Sequence, residues 1–195
     1  MNLLAHAYLS FNLPDILAGN LLSDFIKGKK KYQYSAEIQK GITLHRRIDE
    51  FTDRHEATKK AKEYFRKDYG LYAGAFIDIV YDHFLANDAD EFPDASALAR
   101  FSQDCYSKME FYSAIFPEKF RTLFYYMKKQ DWLYQYRFTN GIINSFAGLV
   151  RRSAFLTDHK TAEKLFQDHY TELATQYRLF FPQLKSFSKT TLESL

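Results

Sequence analysis

The stretch GITLHRRIDEFTD, residues 41–53, places His45, Asp49 and Asp53 at steps of four. In an α-helix such steps keep side chains close to one face, because each is turned only about 40° from the one before. A histidine and a carboxylate one turn apart can bind the same cation. The stretch therefore predicts a helix that carries a ligand-bearing polar face.

The rest of the chain repeats the helical spacing. Apolar residues recur at intervals of three and four in nearly every segment, and no pair of strands stands out. The 195 residues include only 7 glycines and 4 prolines, so long helices are favoured over many short strands. No linker or internal repeat divides the chain. We predict an all-α fold, a single-domain helical bundle over residues 1–195.

Cap and breaker residues predict where the helices begin and end. Pro14 suits a first helical turn, Gly28 stops a helix, and Ser35 is a candidate N-cap for the helix that carries the quoted stretch. The predicted helices cover residues 3–9, 14–27, 36–53, 55–68, 69–87, 96–113, 117–136, 139–153 and 158–181.

Composition narrows the class of protein. Hydrophobic residues make up 46% and aromatic residues 18%, which argues against disorder. The net charge of +3 is too mild for a dedicated nucleic-acid binder, and the single cysteine, Cys105, fits a reducing compartment. No signal peptide is evident, and the charge-free runs at 1–14 and 138–150 are too short to span a membrane. We expect a cytoplasmic protein without a membrane or nucleic-acid partner.

The stretch FIDIVYDHFL, residues 76–85, supplies a second group of candidate ligands. Asp78 and Asp82 are four residues apart, and His83 follows directly, within an otherwise apolar helix. Two carboxylates in such surroundings are costly to bury unless a cation or an arginine pairs with them. The alternative is a helix whose polar edge is simply hydrated.

Asp24 and His6 come from the N-terminal part of the chain. Asp24 lies one turn beyond Asn20 among apolar residues, and His6 stands alone in NLLAHAYL. Taken singly, Asp24 is typical of the polar stripe of an amphipathic helix. A lone histidine such as His6 is more often a core residue bonded to a carbonyl.

Together these side chains favour a metal site. Imidazole and carboxylate ligands suit manganese, iron or magnesium better than a structural zinc, which prefers thiolates. Asp49 is a candidate ligand, orienting residue or catalytic base, His6 a further catalytic candidate, and Arg46 or Arg47 a phosphate clamp. The predicted metal ligands are Asp24, His45, Asp78, Asp82 and His83.

A second arginine pair, Arg151–Arg152, follows the apolar helix GLVRRS. Basic side chains at a helix C-terminus are favoured by the helix dipole alone. The functional alternative is an anchor for a phosphate or for an acidic protein.

Several of these segments together resemble one known family, the acyl carrier protein phosphodiesterases. The resemblance extends over nearly the whole chain at similar spacing. It rests on NLLAH (2–6), GNLLSDFIKG (19–28), GITLHRRIDEFTD (41–53), DIVYDHFL (78–85), QDWLYQYR (130–137) and NGIINSFAGLVRRS (140–153).

The resemblance implies hydrolysis of the phosphodiester that joins 4'-phosphopantetheine to a serine of acyl carrier protein, with manganese as the preferred ion. The family is similar to a divergent branch of the all-helical HD phosphohydrolases, although Asp82–His83 reverses the usual His-Asp order. The implied partner is acidic, so a basic rim would speed encounter. Candidates for that rim are Lys27, Lys29, Lys30, Lys31, Arg46, Arg47, Arg151 and Arg152.

Two other functions fit the same residues. One is a metal-dependent phosphohydrolase that acts on a nucleotide or on another small phosphodiester. The other is a helical module that binds an acidic protein without chemistry, in which case the Asp and His side chains would be hydrogen-bonded core polarity. A bound or stabilising divalent ion discriminates the enzymes from the module.

Overall fold

Eleven α-helices form the protein in a computed structural model that describes all residues from Met1 to Leu195. Four short 3-10 helices lie between them, and there is no strand, which confirms the predicted all-α class. The helices are α1 (Leu3–Tyr8), α2 (Pro14–Leu22), α3 (Ala36–Arg54), α4 (Glu56–Tyr69), α5 (Ala73–Ala86), α6 (Ala95–Phe111), α7 (Glu118–Lys129), α8 (Trp132–Gln135), α9 (Thr139–Arg152), α10 (Lys160–Asp168) and α11 (Tyr170–Glu193).

Local capping explains the helix starts that the sequence predicted well. The Ser35 hydroxyl accepts a hydrogen bond from the Ile38 backbone N–H, and α3 begins at the next residue. Asp94 caps α6 in the same way, accepting from the Ala97 N–H at 2.7 Å. These bonds join residues close in sequence, so their effect is visible without the tertiary structure.

Two predicted helices are broken in the structure. The segment 117–136 divides into α7 and α8 because Asp131 has a left-handed backbone (φ 48°), with its carboxylate accepting hydrogen bonds from Ser102 and Gln103. The segment 158–181 divides at His169. Helix α11 then continues through Pro182, beyond the predicted end at residue 181, and Leu184 and Ser188 in this extension are buried against the core.

The core is one cluster of 49 buried apolar residues. It is rich in aromatic pairs, such as Phe65 with Phe76 and Phe76 with Phe146, whose ring centroids lie 5.8 and 5.3 Å apart. None of the helices combines the length and the apolar character that a membrane span requires.

Helices α2 and α3 cross at a contact between two glycines. A Cβ atom on Gly19 would lie 2.1 Å from the Ile38 carbonyl oxygen, and one on Gly41 would lie 2.4 Å from that of Ile16. The two backbones therefore touch. This approach brings Asn20, the residue after Gly19, beside His45, which lies one turn beyond Gly41.

Candidate metal centre

Helices α1 and α3 bring His6, His45 and Asp49 together. The His6 and His45 rings stack, with their centroids 3.9 Å apart and their planes 14° from parallel. Asp49 places Oδ1 3.2 Å from His6 Nε2 and Oδ2 3.1 Å from His45 Nε2. One ligand atom from each residue lies within 4.8 Å of the other two, so the three side chains form a group that can hold one metal ion. We call them the triad.

Asn20 orients both imidazoles of the triad. Its side-chain oxygen lies 2.8 Å from His6 Nδ1, and its backbone oxygen lies 2.8 Å from His45 Nδ1. The Asn20 amide nitrogen donates to the His6 carbonyl and to the Ser10 hydroxyl, which assigns its Oδ1 as the acceptor. Both histidines therefore donate from Nδ1 and turn Nε2 towards Asp49. This is how proteins fix the tautomer of a metal-binding histidine.

The two histidines differ in protonation. Burial and the nearby positive charge of His45 lower the pKa of His6 to about 4. Burial would also lower the pKa of His45, but its hydrogen bonds to Asp24 and Asp49 outweigh this and raise it to about 9. His6 is therefore neutral at pH 7, whereas His45 carries a proton on Nε2.

An unpaired nitrogen on the neutral His6 ring indicates whether a cation fits between the triad side chains. His6 Nε2 is buried and has no hydrogen-bond partner, and it faces the Asp49 carboxylate across 3.2 Å. Two electron-pair acceptors so close need a positive charge between them. The triad is thus compatible with a divalent metal ion, which would compete with the proton on His45 Nε2.

Asp49 and Asp78 lie around a further positive group. The α-ammonium of Met1 lies 3.1 Å from Asp49 Oδ1 and 3.4 Å from Asp78 Oδ1. Burial would raise the pKa of Asp49, but the hydrogen bond from His45 and the positive charge of the Met1 ammonium hold it below its usual range. For Asp78 burial dominates, and its pKa is raised. Asp78 is therefore next to the triad through this ammonium group, without a direct contact to a histidine.

Asp24 contacts the triad from the solvent side. It lies in the 3-10 helix Ser23–Phe25, its side chain is 75% exposed, and its Oδ1 is 3.1 Å from His45 Nε2. The hydrogen bond to His45 lowers the pKa of Asp24, so this carboxylate is ionised at neutral pH. Asp24 and His45, both predicted metal ligands, are therefore in direct contact.

Asp82, a predicted metal ligand, binds backbone N–H groups in the structure. Asp82 is fully buried, and its two carboxylate oxygens accept the backbone N–H groups of Leu4 (2.7 Å) and Ala5 (3.1 Å). These groups belong to the first turn of α1, where N–H groups have no partner within the helix. We correct the ligand assignment accordingly: Asp82 holds the start of the helix that carries His6.

His83 is also engaged elsewhere. Its Nδ1 lies 2.8 Å from the Tyr136 carbonyl oxygen and its Nε2 3.1 Å from the Tyr170 hydroxyl. Its ring packs edge-on against Phe166, and burial lowers its pKa. Both ring nitrogens have partners, so His83 is a core histidine in this structure, and its assignment as a ligand is corrected with that of Asp82.

Asp82→Ala is expected to destabilise the fold. The substitution leaves two buried N–H groups unpaired, which costs about 3 kcal/mol and lowers the melting temperature by about 6–12 °C. Thermal unfolding followed by circular dichroism measures this shift. Asp53→Ala is the control, because Asp53 forms an exposed pair with Lys62 and its loss should cost less than about 1 kcal/mol. An Asp82→Ala protein as stable as the parent would contradict the capping role.

The structure does not place Arg46 and Arg47, the predicted phosphate clamp, at the cavity beside the triad. Arg46 is exposed, and its guanidinium donates one long hydrogen bond of 3.5 Å to the Ile26 carbonyl oxygen. Arg47 pairs with Glu50 on the surface. Neither arginine lines the cavity beside the triad.

A cavity of about 1080 Å³ opens beside the triad. His6, Asn20, Asp24, His45 and Asp78 line it on one side. Its remaining wall is partly apolar and carries basic side chains from α7 and α9. The positive charges on this wall are those of Lys119, Arg151 and Arg152.

Asn20 is the functional residue that the sequence reading missed. It was noted only as the residue one turn before Asp24. The available signal was a polar amide in a run of apolar residues, ILAGNLL, where a buried asparagine needs several hydrogen-bond partners. The identity of those partners depends on the contact between α2 and α3, which the sequence alone does not display.

Comparison with known proteins identifies the family that the sequence resembles, and the match covers nearly the whole chain. The family model described as acyl carrier protein phosphodiesterase matches residues 1–184. A protein of Photorhabdus laumondii with that name is 32% identical over 184 residues, which cover 94% of this chain and 93% of the relative. The namesakes from Yersinia enterocolitica and Serratia proteamaculans are each 31% identical, over 95% and 97% of this chain and 96% and 98% of their own lengths.

No solved structure matches this chain. The likeness to the HD phosphohydrolases therefore stays a prediction from the sequence. The all-helical architecture and the three-residue group of metal-ligand type are observed independently of it.

Proposed function

Because the chain belongs to the acyl carrier protein phosphodiesterase family, we propose that it hydrolyses the phosphodiester joining 4'-phosphopantetheine to a serine of acyl carrier protein. The products are the apo carrier protein and 4'-phosphopantetheine. The observation that carries the proposal is the triad, a buried pair of oriented imidazoles with a carboxylate at the edge of a large cavity. We place the reaction in the cytoplasm, in keeping with a single, buried cysteine.

The triad would hold a divalent cation through Nε2 of His6, Nε2 of His45 and the Asp49 carboxylate. Mixed imidazole and carboxylate donors suit Mn²⁺, which we propose as the ion. Such an ion, when bound, lowers the pKa of its water and neutralises charge on phosphoryl oxygens. Asn20 keeps both imidazoles in the tautomer that this binding requires.

Two further carboxylates have protonation states that suit acid–base steps. Asp24 is ionised and lines the cavity, so it can accept a hydrogen bond from the attacking water. Asp78 lines the same cavity, and burial raises its pKa, so it is the candidate to deliver a proton to the departing serine oxygen. We assign these roles to Asp24 and Asp78 as part of the proposal.

The apolar part of the cavity suits the pantetheine chain. That chain is long, flexible and largely uncharged, and a wall of mixed aliphatic and aromatic side chains buries such a ligand well. The apolar lining includes Leu21, Phe25, Ile79, Leu123, Trp132 and Leu149. The phosphate end of the substrate then lies away from these residues, among the charged side chains that line the cavity.

Mass spectrometry of holo acyl carrier protein, incubated with this protein, tests the proposal directly. Loss of the prosthetic-group mass is expected with Mn²⁺ present and not after chelation. A panel of nucleotides and small phosphodiesters incubated in parallel should remain intact on the same time scale. Turnover of the panel with an unchanged carrier protein would favour the nucleotide alternative, and no turnover together with no metal binding would favour the binding module.

A further inference from the structure

Helix α9 presents one face to the cavity. Asn144, Ser145, Gly148, Arg151 and Arg152 all line it, at spacings of one, three and four that keep them on one side of the helix. Helix α5 packs between α9 and α1, so this face belongs to a different part of the wall from the triad. The same cavity thus carries the triad on one set of helices and a basic group on another.

The two arginines of this face have no counter-ion. No carboxylate lies within 4 Å of either guanidinium, and neither donates a hydrogen bond, whereas Arg47 and Arg54 both pair with Glu50. The cavity's own acids are engaged elsewhere, Asp24 with His45 and Asp78 with the Met1 ammonium. Two exposed guanidinium groups that approach one point repel one another, and an anion between them would relieve that repulsion.

Gly148, which has no side chain, leaves room for both guanidinium groups to approach the same point on α9. Arg152 Nη1 lies 3.4 Å and Arg151 Nη2 4.0 Å from the point that a Cβ of Gly148 would occupy. Both guanidinium groups therefore fold back over the same buried glycine, although the residues are adjacent in sequence. Tyr136 and Arg152 line the same cavity.

We propose that Arg151 and Arg152, with Asn144, form a phosphate-binding subsite on the cavity face of α9. A guanidinium offers a planar fork of donors that matches phosphoryl oxygens, and two forks over one glycine can share a single phosphate. The proposal rests on the proposed function only in naming the phosphate, either the substrate's phosphodiester or the released phosphomonoester. Arg151 and Arg152 line the cavity, whereas Arg46 and Arg47 do not, so this pair takes the clamping role that the sequence suggested for Arg46 or Arg47.

Phosphate binding can be measured without turnover. Titration of the chelator-treated full chain with inorganic pyrophosphate, followed by calorimetry, reports on the arginines because no metal is present to bind the anion. We expect the Arg151→Ala/Arg152→Ala double variant to bind at least about tenfold more weakly, and the double lysine variant to regain part of the loss. The matched control is Arg66→Ala/Arg178→Ala, which removes the same charge from exposed positions outside the cavity and should bind like the parent.

Steady-state kinetics then separates a phosphate subsite from a contact with the partner protein. We expect the double alanine variant to raise KM for holo carrier protein and the inhibition constant of 4'-phosphopantetheine by similar factors. Unchanged pyrophosphate binding overturns the proposal, even with a raised KM, because the arginines would then contact the protein partner. Pyrophosphate binding that depends on the arginines in a protein without phosphodiesterase activity supports the subsite and contradicts the proposed function.

Discussion

His45→Ala is expected to lower phosphodiesterase turnover by about 10³-fold and the affinity for Mn²⁺ by more than about 100-fold. His45 contacts both carboxylates of the centre, with Nε2 3.1 Å from Asp24 and 3.1 Å from Asp49. Its loss removes one of three candidate donors and leaves Asp24 and Asp49 without the group that holds them together. Calorimetric titration of Mn²⁺ and release of 4'-phosphopantetheine by mass spectrometry measure the two effects.

Asp53→Ala is the matched control for this prediction. Asp53 continues the series of four that begins at His45, but its carboxylate pairs with Lys62 and is no part of the triad. Turnover and metal affinity of Asp53→Ala should stay within about twofold of the parent, as is usual for an exposed pair. A folded His45→Ala protein with full metal-dependent activity would remove His45 from the centre and with it the proposed metal site.

Gly19→Ala is expected to destabilise the protein by about 3 kcal/mol or more. The added methyl group would lie 2.1 Å from a backbone oxygen of α3, which cannot move aside as a side chain can. Relief requires α2 to shift from α3, which also moves Asn20 from His45. We therefore expect a lower melting temperature, by about 6–12 °C, together with weaker Mn²⁺ binding.

Gly74→Ala is the control, because it makes the same substitution at a position where only a flexible side chain lies near the added methyl group. A Cβ on Gly74 would meet only the flexible end of Lys62, at 3.2 Å, within α5. Alanine favours a helix over glycine by about 0.8–1 kcal/mol, so this variant should be as stable as the parent or more stable. Urea unfolding of both variants makes the comparison. If Gly19→Ala left stability and Mn²⁺ binding unchanged, the close approach of α2 and α3 would be refuted.

Local sequence predicted the helices well and the ligands only in part. The pairing of His45 with Asp49 follows from their spacing on one helix, and the structure retains it. Asp82 was indistinguishable from a ligand in the sequence, because a carboxylate in an apolar helix needs some positive partner. Only the packing of α1 on α5 shows that two backbone N–H groups supply that partner. His6 joins the triad through the same packing.

The sequence by itself determined an all-helical protein, the helix that carries His45 and Asp49, and the membership of a family. These properties depend on periodicity, capping and matched segments, which are local or are read along the chain. The tertiary structure decided which distant side chains share a cavity, namely His6 through Asn20 on one wall and Arg151 with Arg152 on another. The physical reason is that long-range contacts are fixed by how helices pack, down to two glycines at a crossing, and no local pattern encodes that geometry.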